Sequence, residues 1–342
     1  MSLKNLSAPN KIPSQFKEKL LNKRIGQIYR KFENSFKPDG NFIVAVSGGA
    51  DSLALAFLTK IYSYRNKTYP KYFIIDHKLR KESSTESFKV KKILKSLKIK
   101  SEILTWKGKK PLKNIQSQAR KKRYDLLFRK CKQFKINNLV LGHHIDDMFE
   151  NFFLRMARGS GLKGLISFGE KTTIKNINLL RPLLKFHKSD LIFISKNIFD
   201  FYVDDPSNYD TKFNRIKVRN LLNKFQEIGI DKKKFLLTLE NLKKSNETII
   251  FYTERNKANN SFTNLKKKEL ILKDNFFNNS YEVVFRSFSD LIQIVGKKYS
   301  STRGKKIDNI LDKIKNKTLT KETLGGCVIK MVNHTVILTK EY

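Results

Sequence analysis

The sequence Ser47-Gly48-Gly49-Ala50-Asp51-Ser52 lies between a short apolar run, Phe42–Val46, and an amphipathic run that begins at Leu53. The first run is too short and too β-branched for a helix, whereas the apolar residues of the second recur at helical spacing. Two adjacent glycines let the backbone turn tightly, and the helix that follows presents unpaired N–H groups at its positive end. The stretch therefore predicts a strand, a phosphate-binding loop and a helix.

Asp51 lies in this loop although its charge has the wrong sign for direct contact with a phosphate. A divalent cation between the carboxylate and the phosphates would remove the conflict, because Mg²⁺ commonly bridges hard oxygen ligands in this way. We therefore interpret Asp51 as a Mg²⁺ ligand beside a bound nucleotide. The alternative for this hexapeptide alone is a Gly-Gly turn in which Asp51 and Ser52 cap the helix.

Positive charge dominates the composition. Lys and Arg number 71 against 31 Asp and Glu, which gives a net charge of +40 over 342 residues. Such a surface attracts polyanions, so nucleic acid is the expected partner. A general bias of the chain toward Lys, Asn, Ile and Phe is an alternative source of the excess, although the field acts on phosphates whatever its origin. The length exceeds what one hydrophobic core usually organises, so we expect two domains.

The two cysteines, Cys131 and Cys327, lie far apart in the sequence and form no Cys-x-x-Cys pair. This spacing argues against a zinc site, an iron–sulfur cluster or a disulfide framework, and a reducing cytoplasm is the expected compartment. The first 20 residues lack the apolar core of a signal peptide, and no apolar stretch approaches 18 residues. We therefore expect no membrane association.

Strand and helix signals alternate through the first two thirds of the chain. Apolar runs predict strands at 72–76, 101–106, 138–141 and 201–204, and helical spacing predicts helices at 85–97, 112–134 and 146–158. The alternation is typical of an α/β fold with a parallel sheet covered by helices on both faces. Ligands of such sheets bind beyond the carboxyl ends of the strands, where 47–52, 76–80 and 142–147 lie.

Beyond residue 222 the pattern changes to helices near 232–244, 281–295 and 304–314, followed by alternating strands between 324 and 338. We therefore place a domain boundary there, with one domain at 1–222 and a second at 223–342. Both parts are rich in Lys and Arg, so a bound polyanion should contact both.

Three polar side chains at the end of a predicted strand share one helix face by their i, i+4, i+7 spacing: His143, Asp147 and Glu150. Two carboxylates and an imidazole in this arrangement could hold a metal, an ammonium group or a proton in transit. Asp146 points elsewhere and is a candidate helix cap. A capped helix with a solvated acidic face is the alternative, because acids are favoured in a first turn.

The same spacing brings Gln116, Arg120 and Arg123 together on the long helix. A guanidinium fork suits a nucleotide phosphate, although a solvated basic face is the alternative in a chain this basic. The segment Asp205-Pro206-Ser207-Asn208, followed by Arg215 and Arg219, predicts a polar turn that leads into a basic helix, with a plain linker as the alternative.

Together these segments resemble known proteins. Ser47–Ser52 matches the Ser-Gly-Gly-x-Asp-Ser loop of the N-type ATP pyrophosphatases, which use ATP to adenylate a carbonyl oxygen and release pyrophosphate. Within that class, the order of motifs resembles the tRNA(Ile)-lysidine synthetase family. The motifs are Asp76-His77-x-Leu79-Arg80, Asn114-x-Gln116, Ala119-Arg120-x-x-Arg123-Tyr124, His143-His144-x-Asp146-Asp147-x-x-Glu150, Arg158-Gly159-Ser160-Gly161, Arg181-Pro182-Leu183-Leu184, Asp205-Pro206-Ser207-Asn208 and the C-terminal Thr323-Leu324-Gly325-Gly326-Cys327.

The resemblance implies a parallel-sheet PP-loop ATP pyrophosphatase domain, of the adenine nucleotide alpha hydrolase-like fold. A smaller helical and β C-terminal region that recognises tRNA would follow it. The implied reaction has two steps on tRNA(Ile) with a CAU anticodon. The C2 oxygen of the wobble cytidine attacks the α-phosphate of ATP, and the ε-amine of free L-lysine then displaces AMP to give lysidine.

The resemblance also implies roles for individual residues. Ser47, Gly48, Gly49, Ala50, Asp51 and Ser52 would bind ATP, with Asp51 holding Mg²⁺. His143, Asp147 and Glu150 would bind lysine, and Asp147 is the favoured base because the ε-amine is mostly protonated near neutrality. Arg123 and Arg215 would steady phosphate or nucleotide.

The chain departs from the usual family pattern at two places. Lys78 stands where the family has glycine, and Met148, Phe149 and Asn151 replace the usual Gln, Ala and Thr.

Three alternative functions are weaker. Sulfur-transferring relatives need cysteine chemistry that the two cysteines do not provide, amidating relatives leave the basic charge unexplained, and a non-catalytic tRNA-binding protein leaves the retained carboxylates unexplained.

Overall fold

The computed structural model describes residues 12–108, 115–204, 214–227, 229, 232–297, 304–333 and 335–341. The chain divides into two compact units, residues 1–230 and 231–342. The boundary expected at residue 222 falls inside a helix of the first unit, Asn214–Glu227. In the described ranges, no helix is long and apolar enough to cross a membrane.

A six-stranded sheet forms the centre of the first unit, with the strand order β3-β2-β1-β4-β6-β5. All its strand pairs are parallel except the edge pair β5–β6, which is antiparallel. The expected parallel α/β sheet is therefore confirmed, with one antiparallel strand added at its edge. The strands are β1 Phe42–Val46, β2 Lys71–Asp76, β3 Ser101–Thr105, β4 Asn138–Val140, β5 Lys171–Ile174 and β6 Ile177–Leu180.

Helices cover both faces of this sheet because the central strands are apolar on both sides. Phe42, Val44 and Val46 of β1 join one core cluster, and Ile43 between them joins another. This burial on both faces explains why β1 is an unbroken apolar run. The helices are α1 Ser14–Leu21, α2 Lys23–Ser35, α3 Ala50–Arg65, α4 Ser83–Ser96, α5 Ile115–Phe134, α6 Ile145–Met156, α7 Leu162–Leu165, α8 Lys188–Phe199 and α9 Asn214–Glu227.

The strand expected at 201–204 is wrong. Among the described residues this segment pairs with no strand, and the Val203 N–H donates to Gly48 O of the loop at 3.0 Å. The hairpin β5–β6 was not expected from the sequence. Its two-residue turn, Lys175-Asn176, has φ values of 50° and 63°, which is the left-handed geometry that a tight hairpin requires.

In its described residues, the second unit combines three α-helices and the short 3-10 helix Asp274–Phe276 with a five-stranded antiparallel sheet of order β7-β8-β11-β10-β9. This agrees with the expected helical and β region, although its first helix is longer than the sequence pattern indicated and the hairpin β7–β8 was not expected. Its elements are α10 Lys232–Asn260, β7 Ser261–Asn264, β8 Glu269–Leu272, α11 Tyr281–Gly296, α12 Gly304–Lys315, β9 Lys321–Leu324, β10 Cys327–Val332 and β11 Thr335–Lys340.

The last residue of α11, Gly296, packs directly against the turn between β9 and β10. A Cβ atom on Gly296 would lie 2.1 Å from Gly325 O, and both turn glycines have positive φ. The Gly325-Gly326 pair noted in the sequence is thus a turn whose backbone approaches a helix too closely for any side chain on Gly296.

We predict that Gly296→Ala destabilises the second unit by roughly 2 kcal/mol or more, because overpacking against backbone outweighs the better helix propensity of alanine. Gly304→Ala is the matched control in the same unit, since among the described residues its added Cβ would meet only the Phe285 ring at 3.6 Å. Chemical denaturation of the full chain checks both. Equal midpoints for the two variants would contradict this account of the turn.

Candidate active site

The loop between β1 and α3 is organised by one hydroxyl group. The Ser52 Oγ accepts hydrogen bonds from the N–H groups of Ser47 and Gly48, each at 3.1 Å, and donates to Gly49 O at 2.9 Å. Ser52 lies in the first turn of α3 and is buried. It therefore folds the loop back onto the start of the helix, as the predicted strand–loop–helix order requires.

Gly48 has a positive φ of 90°, which favours glycine. A Cβ here would lie 2.7 Å from Val90 Cγ2 and 3.0 Å from Val203 Cγ2. The left-handed backbone and the close side chains both exclude other residues at this position. The steric constraint applies to Gly48, since a Cβ on Gly49 would meet its nearest neighbours at 3.8 Å, an ordinary contact distance.

Asp51 contacts two cationic or titratable side chains through one oxygen. Lys188 Nζ lies 2.5 Å from Asp51 Oδ2, and His144 Nε2 lies 3.6 Å from the same atom. The other oxygen, Oδ1, is buried and has no hydrogen-bond partner among the described residues. A buried carboxylate oxygen with spare acceptor capacity fits a hard divalent cation, so Asp51 is suited to hold Mg²⁺.

The nearby His/Asp cluster is not a preformed metal cage. Over the residues that the structure covers, no group of three or more His, Cys, Asp or Glu side chains is arranged to hold a metal ion. Mg²⁺ typically uses one or two carboxylates together with substrate phosphates, so a single Asp51 is sufficient for that mode.

The helix α6 begins with a capping box. The N-cap is His144, whose Nδ1 accepts from the Asp146 N–H at 3.2 Å, while Asp147 Oδ2 accepts from the His144 N–H at 2.9 Å. The prediction that Asp146 caps the helix is wrong, because His144 occupies the N-cap position. The helix therefore begins at Ile145, so His143 precedes it.

His144 links the two halves of the site. Its Nε2 lies 3.6 Å from Asp51 Oδ2 and 3.7 Å from Asp147 Oδ2. Because Nδ1 accepts a hydrogen bond, we assign a proton to Nε2, which faces both carboxylates. Sequence reasoning did not select His144, although its position three residues before an acid is a capping-box signal.

The carboxyl group of Asp147 is held in its charged form. Burial would raise its pKa, but the His144 imidazole, the His144 N–H and the Lys188 ammonium together bring the pKa below its ordinary value. The carboxylate is therefore ionised at neutral pH. A depressed pKa suits the binding of an ammonium group better than the removal of its proton.

His143 is nearly inaccessible to protonation. Burial lowers its pKa to about 3; Asp147 opposes the shift, and three guanidinium groups add to it, those of Arg181, Arg120 and Arg123. The imidazole packs edge-on against the Phe168 ring, with 5.2 Å between the two ring centroids. Its Nδ1 atom is buried without a hydrogen-bond partner in the described part of the chain.

Glu150 lies one helical turn beyond Asp147 and is 3% exposed. Its Oε1 accepts from Arg219 Nε at 2.7 Å and Nη2 at 2.6 Å. Arg219 belongs to α9, so the pair joins α9 to α6. The sequence grouped Glu150 with His143 and Asp147, but it did not show that a guanidinium occupies this carboxylate.

The departure at Lys78 has a local solution. Lys78 adopts a positive φ of 49°, a left-handed conformation that favours glycine, the residue that the resemblance led us to expect here. Its N–H donates to Asp76 Oδ1 at 3.0 Å, and the same carboxylate accepts from the hydroxyls of Ser83 and Ser84. Burial would raise the pKa of Asp76, but these donors lower it overall.

Several expected site residues cannot be placed. Arg215 lies on α9 and Gln116 on α5, but the side chains of both are outside the described residues, as are Asn114 and the segment 205–208. Arg123 lies on α5, and its charge is one of those that lower the pKa of His143.

Comparison with known proteins agrees with this geometry. Residues 18–226 match the family described as PP-loop domain. A tRNA(Ile)-lysidine synthase from Orientia tsutsugamushi (strain Boryong) is 32% identical over 320 residues, covering 90% of this chain and 71% of that protein. The Wolbachia sp. subsp. Brugia malayi (strain TRS) enzyme of the same name is 35% identical, covering 87% and 70%.

A third relative, the tRNA(Ile)-lysidine synthase of Rickettsia akari (strain Hartford), is 34% identical over 92% of this chain and 74% of its own length. Among solved structures, the U34-tRNA thiolase NcsA from Methanococcus maripaludis, with its [4Fe-4S] cluster, aligns with a TM-score of 0.56. It covers 64% of this chain and 78% of that one at 17% identity, so this likeness concerns the fold alone. The phosphate-binding loop, the ordered motifs and these relatives together show that the chain belongs to the PP-loop domains and, within them, to the tRNA(Ile)-lysidine synthases, a family of ATP-using ligases.

Proposed function

We propose that this protein ligates L-lysine to C2 of the wobble cytidine in the CAU anticodon of tRNA(Ile), with ATP converted to AMP and pyrophosphate. One observation supports it most directly: His144 Nε2 lies within 4 Å of both Asp51 and Asp147. A carboxylate of the phosphate loop and a carboxylate able to hold an amine thus face the same small space. The net charge of +40 suits a tRNA partner, and the cytoplasm is the proposed compartment.

In the first step, the loop 47–52 receives the phosphates of ATP. The N–H groups at the start of α3 and the loop backbone bind and orient them, and Asp51 is the proposed Mg²⁺ ligand. When bound, Mg²⁺ would stabilise the charge of the departing pyrophosphate. Arg123 and Arg215 are proposed to steady the nucleotide or the tRNA phosphate, because a guanidinium fork matches phosphate geometry.

In the second step, lysine must approach the adenylated cytidine with its ε-amine. We place the ammonium form beside Asp147, whose carboxylate is ionised, with Glu150 and His143 completing the lysine site. The lowered pKa of Asp147 favours the role of holding and orienting the amine. The ammonium therefore gives its proton to water, and the free amine then forms the bond to C2 as the bond from C2 to the oxygen of AMP breaks. The neutral His143 adds a buried acceptor without adding a repelling positive charge.

The decisive assay supplies ATP and labelled lysine with either tRNA(Ile) bearing CAU or tRNA(Met) with the same anticodon. Lysine incorporated into the first tRNA alone supports the proposal. Binding of tRNA(Ile) without incorporation into either tRNA would contradict it and favour a non-catalytic binding protein.

The two carboxylates should separate the two steps. We expect Asp51→Asn to abolish formation of the adenylated tRNA, whereas Asp147→Asn should still form it but transfer lysine at least about a hundredfold more slowly, since a charge-assisted contact and amine orientation are both lost. Single-turnover assays with ATP labelled in the α-phosphate follow the adenylate directly. Equal loss of adenylation in both variants would contradict the assignment of Asp147 to lysine.

Glu150 and Arg219 allow binding and structural roles to be distinguished. Glu150→Gln should raise the KM for lysine by about tenfold, as expected for loss of one charge-assisted contact. Arg219→Met removes the same ion pair but keeps the carboxylate, so its KM should remain at or below the wild-type value. If Arg219→Met raises the KM as much as Glu150→Gln, Glu150 serves mainly to anchor α9.

The pH dependence should reflect the substrate amine. His143, with its pKa lowered to about 3, stays neutral and Asp147, with its lowered pKa, stays ionised throughout pH 6–9, so neither changes charge there. The rate of lysine transfer should therefore rise about tenfold per pH unit toward the pKa of the ε-amine. A rise that ends near pH 6.5 and is removed by His143→Asn would contradict this.

A further inference from the structure

Lys188, the first residue of α8, lies at the phosphate loop without belonging to any of the motifs that identified it. Its Nζ contacts Asp51 Oδ2 at 2.5 Å, and its charge also helps to lower the pKa of Asp147. The ammonium group therefore pairs with the Asp51 carboxylate, which lies on the other side of the His144 imidazole from Asp147. This ion pair involves a carboxylate of the phosphate-binding loop, unlike ion pairs on the protein surface such as Lys185–Glu170.

The start of α8 is held firmly relative to the loop. Ser195 Oγ donates to Ala50 O at 2.7 Å, so α8 is bonded to the first residue of α3. Leu191 and Ile194, on the same helix, are fully buried in the core cluster that includes α3. The backbone of Lys188 is thus fixed, while its flexible side chain remains 42% exposed and can reach more than one partner.

The ammonium group contacts one oxygen of the carboxylate that is the proposed metal ligand. Asp51 Oδ2 is already in contact with Lys188, whereas Oδ1 is buried without a hydrogen-bond partner in the residues described. A divalent cation arriving at Asp51 would repel an ammonium group at this distance. If ATP arrives with the cation, however, its phosphate oxygens offer the ammonium a new anionic partner.

We propose that Lys188 neutralises Asp51 in the nucleotide-free protein and transfers its ammonium group to a phosphate oxygen of ATP when Mg²⁺ binds to Asp51. Lys188 is then a positioning residue that couples cation binding to nucleotide binding. The inference rests on the proposed role of Asp51 as the Mg²⁺ ligand. It follows that the cation alone binds weakly, because it must displace the ammonium without supplying an alternative anion.

The test measures binding, with Mn²⁺ as a spectroscopic substitute for Mg²⁺. Lys188→Met keeps the length of the side chain and removes the charge. In the absence of nucleotide, its affinity for Mn²⁺, followed by electron paramagnetic resonance of the free ion, should rise by about fivefold, the scale of a partly exposed ion pair. Its affinity for ATP at saturating Mn²⁺, measured by calorimetry, should fall by about tenfold through loss of one charged contact.

Lys185→Met is the matched control. Lys185 lies three positions earlier, is similarly exposed and pairs with Glu170, which is not in the phosphate loop. This variant has the same change in net charge and should keep wild-type affinities for both Mn²⁺ and ATP.

Unchanged or weaker Mn²⁺ binding by nucleotide-free Lys188→Met would overturn the proposal, as would unchanged affinity for ATP. These outcomes differ from a failure of the proposed function, since lysidine formation by the wild-type protein is measured separately. If wild type makes lysidine and Lys188→Met binds both ligands as wild type does, only the inference about Lys188 fails.

Discussion

The backbone of the loop 47–52 is the constraint on which the site depends. Ser52 Oγ holds two N–H groups and one carbonyl of the loop, and Gly48 reaches a conformation and a packing that exclude a Cβ atom. Gly142, shortly after the neighbouring strand, also packs closely, since a Cβ there would lie 3.2 Å from backbone atoms of Asp51 and Ser52. The loop thus brings the ends of β1 and β4 together, and with them Asp51 and the start of α6.

From that contact the rest of the site follows. The residues after β4 turn into α6 through the His144 capping box, which places the His144 imidazole between Asp51 and Asp147. At the end of β2, Asp76 accepts hydrogen bonds from the Lys78 N–H and from two serine hydroxyl groups. These contacts give Asp76 a structural role beside Lys78, whose backbone is left-handed. The carboxyl edge of the sheet therefore carries the carboxylates of Asp51 and Asp147 with one imidazole between them.

Local patterns predicted the parts of this arrangement that depend on local structure. The order of strand, loop and helix around Ser47–Ser52 followed from apolar periodicity and two glycines, and the alternation of elements gave the parallel sheet. The segment 201–204 was assigned to a strand because it is apolar, yet it lies over the loop and bonds to Gly48 instead. The hairpin β5–β6 was not found because its strands are short and its turn residues are Lys and Asn, which are common throughout this chain.

Two contacts that sequence reasoning missed are tertiary. Lys188 reaches Asp51 from 137 positions away and Arg219 reaches Glu150 from 69 away, and nothing local distinguishes either from the many other basic residues.

The central claim is that one site first adenylates the tRNA and then presents lysine to it. In the most direct test, the wild-type protein is first incubated with tRNA(Ile) and ATP labelled in the α-phosphate, without lysine. Lysine is then added. The account predicts that the label first becomes attached to the tRNA and is then released as AMP while lysine is incorporated. Label that never joins the tRNA, or that remains on it after lysine is added, would contradict the account.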